Sequence, residues 1–302
     1  MAATLLGGHA LLGNVKDDLR ARIKRLGEQG VTPGLGTILV GDDPPSHAYV
    51  RLKREDSAEI GVRSIHSELP ASITQEALHA VIDRYNRDPE VDAYILQVPL
   101  PDHLDAEAAL LAIDPDKDAD GLHPVNLGKL VMGVAGAPRP CTPLGIQALL
   151  VMYKVPIEGQ HVVIIGRGLT IGRPLANLLS LKEPNANATV TVCHTGTHFL
   201  PEYTKQADII IAAAGRPSIL TPDMVRPGAA VVGPGATMQG RTVVPDVDEA
   251  CAEVAGWITP RLGGVGPTTR AMLLRQTVET AERRAAARAA TAAPPRGKDG
   301  TR

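Results

Sequence analysis

The sequence predicts a two-domain α/β protein whose sheets are parallel. Short apolar runs alternate with amphipathic stretches in both halves of the chain, as in strands joined by crossover helices. In the second half, a glycine-rich turn over residues 166–172 separates a buried strand from a helix, which is typical of a Rossmann-type domain. The length of 302 residues fits two domains of about 150 residues each.

The first half is predicted to contain three strands and three helices. Apolar residues recur at helical spacing over residues 15–26, which predicts a helix ending near Gly27. A second helix is predicted over residues 46–60 with Ser46 as its N-cap, and a third opens on a Ser72–Gln75 capping box and ends near residue 86. The predicted strands cover residues 36–40, 62–66 and 93–98.

The second half gives clearer signals. Strands are predicted over residues 161–165, 188–193, 207–213 and 229–232, with a helix over residues 174–181. The proline-rich stretch 138–143 predicts a border between the two domains. A last helix is predicted from Thr268 to residue 285, and residues 286–302, rich in Ala, Arg, Pro and Gly, are predicted to be disordered.

Composition excludes several classes of function. Lys and Arg total 31 against 33 Asp and Glu, a net charge of −2, and aromatic residues make up 2% of the chain. Such a chain has neither the net positive charge nor the stacking rings that favour nucleic-acid binding. The 3 cysteines form no CxxC pair, and no apolar run approaches about 18 residues, so neither structural zinc nor a membrane span is expected. The N-terminal stretch lacks a signal-peptide pattern, and a cytoplasmic location is therefore expected.

An acidic stretch, Asp114–Asp120, superficially resembles a calcium loop. An EF-hand needs a glutamate at its twelfth position, where this chain has Val125. No metal site is therefore predicted, and the neighbouring His123 is interpreted as structural.

The glycine-rich turn is a candidate dinucleotide site. Gly166, Gly168 and Gly172 let backbone N–H groups approach a pyrophosphate at a helix N-terminus, although their spacing is one residue longer than the usual fingerprint. By itself the motif also fits an ordinary strand-to-helix turn. The next strand ends in residues 193–197 (CHTGT), with no acid for a ribose hydroxyl, and Arg167 lies in the turn. These features favour the 2′-phosphate of NADP over NAD.

A candidate proton-transfer group lies in the first half. Ser46, Tyr49 and Lys53 share one helix face near the carboxyl end of a strand, where open α/β sheets bind ligands. A lysine that is desolvated there has a lowered pKa and can transfer protons. The alternative is a solvated lysine paired with Asp56, and Gln97 at the end of another strand is either a site residue or a satisfied amide.

The motifs occur together in one order and are long enough to be specific. They are VGDDPPSHAYVRLK, LQVPLP, DKDADGLHPVNLGKL, PCTPLGI, the GRG turn, CHTGT, ADIIIAAAGRP and ITPRLGGVGPTT. From about residue 10 to about residue 282, the chain resembles the bifunctional methylenetetrahydrofolate dehydrogenase/methenyltetrahydrofolate cyclohydrolase (FolD) family.

The resemblance implies an organisation and two activities. It implies a folate-binding catalytic domain over residues 1–142, onto which helix 268–285 packs, a Rossmann-type NADP-binding domain over residues 143–267, and a cleft between them. It implies NADP-dependent oxidation of 5,10-methylenetetrahydrofolate, and hydrolysis of the methenyl product to 10-formyltetrahydrofolate. A homodimer and a place in one-carbon metabolism and purine biosynthesis are also implied.

The resemblance also implies roles for individual residues. Lys53 would assist proton transfer in the hydrolysis, Gln97 would hydrogen-bond and tune it, and Ser46 would support it. Tyr49 would pack against the aminobenzoyl group of the folate, and Asp120 would hold the pterin. The folate pocket would be lined by Gly263, Gly264 and Pro267. The NADP contacts would be Gly166, Arg167, Gly168, His194, Thr195 and Ala236.

The chain departs from the usual family pattern mainly on the cofactor side. Gly168 stands for a serine, residues 233–237 (GPGAT) for DVGIN, Leu262 for a proline and Thr268 for a methionine. An alternative is therefore a monofunctional cyclohydrolase with an impaired dinucleotide site. A non-catalytic binding module or an amino-acid dehydrogenase would leave the set Tyr49, Lys53, Gln97 and Asp120 unexplained.

Overall fold

A computed structural model describes residues 2–239 and 242–292. The chain divides into two compact units. The six-stranded unit holds the described residues up to Asp17 and those from Asp118 to Leu273, and the three-stranded unit holds Asp18–Lys117 and the described residues from Leu274 onward. This confirms the predicted α/β class, because both of these sheets are parallel. Ala236–Gln239 and Thr242–Pro245 form an additional antiparallel pair.

The strands and helices follow one another in alternation for most of the chain. The strands are β1 (Thr4–Leu5), β2 (Gly34–Val40), β3 (Arg63–Leu69), β4 (Ala93–Leu96), β5 (His161–Ile165), β6 (Thr189–Cys193), β7 (Ile209–Ala212), β8 (Ala230–Val232), β9 (Ala236–Gln239), β10 (Thr242–Pro245) and β11 (Trp257–Ile258). The helices are α1 (Gly8–Glu28), α2 (Pro44–Ile60), α3 (Gln75–Arg87), α4 (Ala106–Leu111), α5 (Pro124–Val131), α6 (Cys141–Met152), α7 (Gly172–Ser180), α8 (Leu200–Thr204) and α9 (Val265–Ala292).

The six-stranded unit is built on a fully parallel sheet of order β1-β11-β8-β7-β5-β6. The chain leaves β5 to form β6 on one side and then returns to form β7 on the other. The order therefore reverses at β5, and ligands of open α/β sheets bind beside such a reversal. Residues of the central strands, such as Val163, Ile210 and Val231, are completely buried, as expected for a sheet covered on both faces.

The three-stranded unit has a parallel sheet of order β3-β2-β4. Helix α3 packs its apolar face on this sheet through Leu78, Ile82 and Tyr85, all buried. The Tyr85 and Tyr94 rings meet with centroids 5.3 Å apart, and the Tyr94 hydroxyl donates to Asn86 Oδ1 at 2.7 Å. Tyr85 and Tyr94 thus both contribute their rings to this core.

Two predicted N-caps are wrong, because other side chains cap these helices. Helix α2 is capped by Asp43, whose Oδ2 accepts the backbone N–H of Ser46 at 3.0 Å, because Pro44 and Pro45 already occupy the first turn. Ser46 is therefore inside the helix and is not its N-cap. Helix α3 is capped by Thr74, which accepts from Ala77 N at 3.2 Å, and not by a Ser72–Gln75 capping box.

The last helix is longer than predicted. Helix α9 begins at Val265 and runs to Ala292, so the disorder predicted from residue 286 does not begin there, while residues 293–302 lie outside the described part. Arg284 of α9 donates to Asp92 Oδ1 at 2.8 Å and to Val91 O at 2.7 Å. This part of α9 is therefore bonded to the three-stranded unit.

Residues 2–239 and 242–292 contain neither a candidate membrane-spanning helix nor a candidate metal site. Within that part of the chain, no helix combines the length and the apolar character that a membrane crossing requires. The same residues contain no group of three or more His, Cys, Asp or Glu side chains placed to hold a metal ion. His123, interpreted as structural, is buried at the start of α5, where its Nδ1 accepts the backbone N–H of Val125 at 3.1 Å.

Candidate active site

The three-stranded unit brings Lys53 and Gln97 into contact. Lys53 lies on α2, which follows the central strand β2, and Gln97 directly follows β4, where its backbone N–H bonds Ile38 O at 2.8 Å. The Lys53 Nζ donates to Gln97 Oε1 at 3.1 Å. Gln97 Nε2 in turn donates to Val98 O at 2.8 Å, which fixes the orientation of the amide and keeps its oxygen toward the lysine.

Tyr49 and Ser46 lie on the same helix as Lys53. Tyr49 is one turn before the lysine and 49% exposed, so its ring is available to a ligand. Ser46 is buried, and its hydroxyl donates to Asp43 Oδ2 at 2.6 Å. Lys53 itself is half-buried, so it differs from the fully solvated lysine of the alternative interpretation.

Asp120 belongs to the six-stranded unit and lies in a loop that is held from both sides. The buried Asp118 carboxylate accepts the N–H groups of Gly121 at 3.0 Å and His123 at 2.8 Å. The Asp120 carbonyl accepts the N–H of Cys141 at 3.1 Å. Gly121 has φ +71°, and a Cβ there would lie 2.3 Å from the Arg139 carbonyl carbon, so this loop requires glycine. The backbone that carries Asp120 is therefore fixed.

The predicted pocket segment Gly263–Pro267 packs against the N-terminal segment of the same unit. Gly263 has φ +77°, and a Cβ there would lie 2.6 Å from the His9 ring. The N–H of Gly8 donates to Gly263 O at 2.8 Å. Pro267 is buried in the first turn of α9. The segment therefore has little freedom to move.

A cavity of about 440 Å³ opens where the strand order reverses. Gly166 has φ +122°, and a Cβ there would lie 2.1 Å from Ala213 O; a Cβ on Gly172 would lie 2.2 Å from Gly166 O. Only glycine permits the backbone to pack this closely as it turns into α7. The lining residues come from the ends of β5, β6 and β7: Ile165, Gly166, Arg167, Gly168, His194, Thr195, Thr197, Leu200, Ala213, Ala214, Arg216 and Ile219.

The cavity combines apolar walls with basic and hydroxyl groups. The His194 ring is oriented by Gly196, whose N–H donates to its Nδ1 at 3.0 Å, so the neutral ring carries its proton on Nε2. Thr197 Oγ1 accepts the His194 N–H at 2.9 Å and orders the turn after β6. Apolar surface for a base, guanidinium groups for phosphate and a glycine turn are together what a dinucleotide needs.

Comparison with known proteins gives the family. The family model described as tetrahydrofolate dehydrogenase/cyclohydrolase, catalytic domain, matches residues 6–120, and the model of the corresponding NAD(P)-binding domain matches residues 140–285. The chain belongs to the tetrahydrofolate dehydrogenase/cyclohydrolase family.

Relatives in this family cover nearly the whole chain. The bifunctional protein FolD of Syntrophotalea carbinolica is 57% identical over 285 residues, which are 94% of this chain and 98% of the relative. The crystal structure of the bifunctional FolD of Campylobacter jejuni matches with a TM-score of 0.89 and 43% identity, covering 94% of this chain and all of the other. The Trypanosoma brucei FolD structure, complexed with NADP and an inhibitor, matches at 0.87 and 37%, covering 94% and 99%.

The positions that depart from the tetrahydrofolate dehydrogenase/cyclohydrolase pattern differ in how closely their surroundings restrict the side chain. At Gly168 an added Cβ meets nothing within 4 Å, so glycine is not sterically required there. Gly235, by contrast, is required, because a Cβ would lie 2.1 Å from Asp246 Oδ2. Thr268 is completely buried against Gly145 and does not line the cavity. The side chain of Ala236 lies outside what the structure describes.

Sequence reasoning missed several cavity residues of this family member. Arg216 is the most polar of them, and it follows β7 in the motif ADIIIAAAGRP. The sequence did contain a signal for Arg216, because β7 is the neighbour of β5 and residues that follow such strands face the ligand. Leu200 and Ile219 carried no such signal, since nothing in the sequence brings them to the same wall.

Proposed function

We propose that the chain catalyses two consecutive reactions on tetrahydrofolate one-carbon derivatives. With NADP it oxidises 5,10-methylenetetrahydrofolate to the methenyl compound, and it then hydrolyses that compound to 10-formyltetrahydrofolate. The observation that carries the proposal is the hydrogen bond between Lys53 and Gln97, within the segment that matches the catalytic-domain model.

The dinucleotide cavity fits NADP. When bound, NADP supplies the hydride acceptor for the oxidation. Arg167 and Thr195 provide a guanidinium and a hydroxyl for the 2′-phosphate, and His194 adds an N–H donor. Gly166 and Gly168 leave the backbone open to the pyrophosphate, and the predicted contact from Ala236 is retained as part of the proposal. These groups bind and orient the cofactor, and the apolar wall excludes water from it.

In the hydrolysis, Lys53 moves the proton. Water attacks a cationic methenyl carbon, so a base that is neutral when it acts avoids repulsion and can accept the proton released by the water. Gln97 is a neutral acceptor, so its hydrogen bond orients the amine and adds no negative charge of its own. The hydrogen bond therefore positions the Lys53 amine for proton transfer.

The remaining site residues bind the folate. Tyr49 offers an exposed ring to the aminobenzoyl group, and Ser46 supports the helix turn that precedes Lys53. Asp120, on its fixed loop, accepts hydrogen bonds from the pterin ring. Gly263, Gly264 and Pro267 are retained in the proposal as folate contacts implied by the family resemblance.

The larger-scale expectations belong to the same proposal. A homodimer and domain borders at residues 142 and 267 are carried over from the family resemblance, and a cytoplasmic location is carried over from the sequence analysis. A monofunctional cyclohydrolase is not favoured, because the NAD(P)-binding domain model matches residues 140–285 and the cavity is open at the glycine turn.

A two-part absorbance assay tests the proposal. The purified protein is given 5,10-methylenetetrahydrofolate with NADP or NAD, and separately the methenyl compound alone. We expect reduction of NADP in preference to NAD without build-up of methenyl absorbance, and enzyme-dependent hydrolysis of added methenyl compound. Hydrolysis without reduction of either dinucleotide would instead support the monofunctional alternative.

A matched pair of variants tests the role of Lys53. Lys53→Ala removes the proton-transfer group, and we expect hydrolysis to fall by about a hundredfold or more. Lys24→Ala removes an exposed lysine of the same unit and should leave hydrolysis unchanged. Equal hydrolysis by both variants would contradict the assignment.

A further inference from the structure

The segment after β7 places a second guanidinium group at the dinucleotide cavity. Ala213, Ala214 and Arg216 line the cavity, together with Arg167 from the glycine turn. The Arg216 side chain is exposed, and no ion pair or side-chain hydrogen bond engages it within residues 2–239 and 242–292. A cationic group that has no side-chain partner among the described residues and faces a ligand cavity is available to an anionic ligand.

A buried carboxylate holds this segment in place. Asp246 has no exposed surface, and its Oδ2 accepts the N–H groups of Ala214 and Gly215, each at 2.7 Å. Thr237 Oγ1 donates to Gly215 O at 2.8 Å. Burial raises the pKa of Asp246 despite the opposing effect of these N–H donors. In the turn that leads into Arg216, two backbone N–H groups and one backbone carbonyl group are therefore hydrogen-bonded to side chains.

The segment is also anchored beyond Arg216. The N–H of Ser218 donates to Pro245 O at 3.0 Å, and that of Leu220 donates to Asp246 O at 3.1 Å. Gly235 packs so closely on Asp246 that no other residue fits there. Arg216 thus lies between two fixed points, which restricts the backbone from which its side chain extends.

The chemistry of the ligand determines what this arginine recognises. NADP carries a pyrophosphate and a 2′-phosphate, and one guanidinium cannot pair with both groups at once. A planar guanidinium donates paired hydrogen bonds to phosphate oxygens more effectively than any other side chain. We propose that Arg216 is a second phosphate-binding residue of the dinucleotide site and that Asp246 is the residue that positions it. The inference rests on NADP binding as proposed above.

Direct binding measurements test Arg216. Isothermal titration of Arg216→Gln with NADP, NAD and 2′,5′-ADP is compared with wild type and with Lys182→Gln, which removes an exposed charge beyond the far end of α7. We expect Arg216→Gln to weaken NADP binding about tenfold, and Lys182→Gln to leave it unchanged.

The pattern across ligands identifies the phosphate. If affinity is lost for NADP and 2′,5′-ADP but not for NAD, Arg216 binds the 2′-phosphate. If affinity is lost equally for NADP and NAD, Arg216 binds the pyrophosphate. Unchanged binding of all three ligands overturns the inference while leaving the proposed function intact. A wild-type protein that binds neither dinucleotide would contradict the proposed function itself.

A double-mutant cycle tests Asp246 as a positioning residue. Asp246→Asn and Asp246→Ala are each made alone and together with Arg216→Gln, and NADP affinity is measured for the variants that fold. We expect the Asp246 change to weaken binding several-fold in the wild-type background and to have little further effect once Arg216 is gone. Asparagine keeps an acceptor oxygen, so it should retain more affinity than alanine. If the losses of NADP affinity were fully additive, Asp246 would act only on general stability, and its positioning role would be overturned.

Discussion

At the scale of single residues, the candidate site depends on the neutral acceptor that Gln97 offers to Lys53. Gln97→Glu replaces a neutral acceptor with a carboxylate that would hold the amine in its charged form. We expect hydrolysis at neutral pH to fall about tenfold or more and to recover partly at alkaline pH. The pH profile of methenyl hydrolysis measures this. Gln29→Glu, an exposed change in the same unit, should leave the profile unaltered, and an identical shift in both variants would rule the explanation out.

The sequence reveals some of the site residues and not others. The contact between Lys53 and Gln97 is implied by the family motifs that contain them. It is consistent with their positions, because Lys53 lies on the helix after β2 and Gln97 follows the neighbouring strand β4. The catalytic role itself stays a prediction. Arg216 was not anticipated, because an arginine after an apolar strand looks the same whether it faces solvent or a cavity. The positioning role of Asp246 depends on a turn formed more than thirty residues earlier in the chain, at Ala214 and Gly215, a distance that no local pattern spans.

At the scale of elements, the close contact of α6 with α9 depends on a glycine. A Cβ on Gly145 would lie 2.4 Å from Thr268 Oγ1, which itself donates to Val265 O at 2.7 Å. Gly145→Ala should therefore lower the free energy of unfolding by about 1–3 kcal/mol through overpacking. Gly13→Ala is the control, because nothing lies within 4 Å of a Cβ there and alanine favours a helix by roughly 0.5–1 kcal/mol. Urea unfolding compares the two, and equal stability would show that α6 moves aside freely.

A second element-scale prediction concerns the segment before α6. Arg139 makes a double hydrogen bond to Glu183, both at 2.8 Å, and this holds the pKa of Glu183 below its usual value. Because the folded pKa is lowered, the stabilisation is fully present above the ordinary value near 4.5 and is lost as pH falls through the lowered one. Arg139→Gln should cost at most about 1 kcal/mol at pH 7, since the pair is partly exposed. Urea unfolding of both proteins from pH 7 to pH 3 should show the difference shrinking, and a constant difference would contradict the ion-pair explanation.

Element boundaries were harder to predict than element types. Strands β5 to β8 were each anticipated within two residues at either end, because continuous apolar runs mark buried parallel strands. Helix α6 was missed, since its buried residues leave no polar face and therefore no helical period. Strands β1 and β11 have 2 residues each and carry too little pattern to be recognised.

At the scale of the whole molecule, the alternation of strands and helices was sufficient to predict the α/β class, but not the order of the strands. That order places residues 4–5 and 257–258 in adjacent strands, a pairing that only tertiary packing creates. It also sets the reversal at β5, from which the position of the cavity follows. The motifs were therefore sufficient to predict the chemistry, whereas the full set of residues that line the cavity could be identified only from the structure.

The proposed division of labour predicts that the two activities are separable by mutation. Lys53→Ala removes the proton-transfer group and leaves every cavity residue intact, so NADP reduction should continue while methenyl absorbance accumulates. Arg167→Gln should raise the KM for NADP about tenfold by removing a phosphate contact, without affecting hydrolysis of added methenyl compound. Both variants are assayed for both reactions under the same conditions. If either substitution depressed the two reactions equally, Lys53 and Arg167 would not have the separate roles assigned to them, and the shared step would have to be folate binding itself.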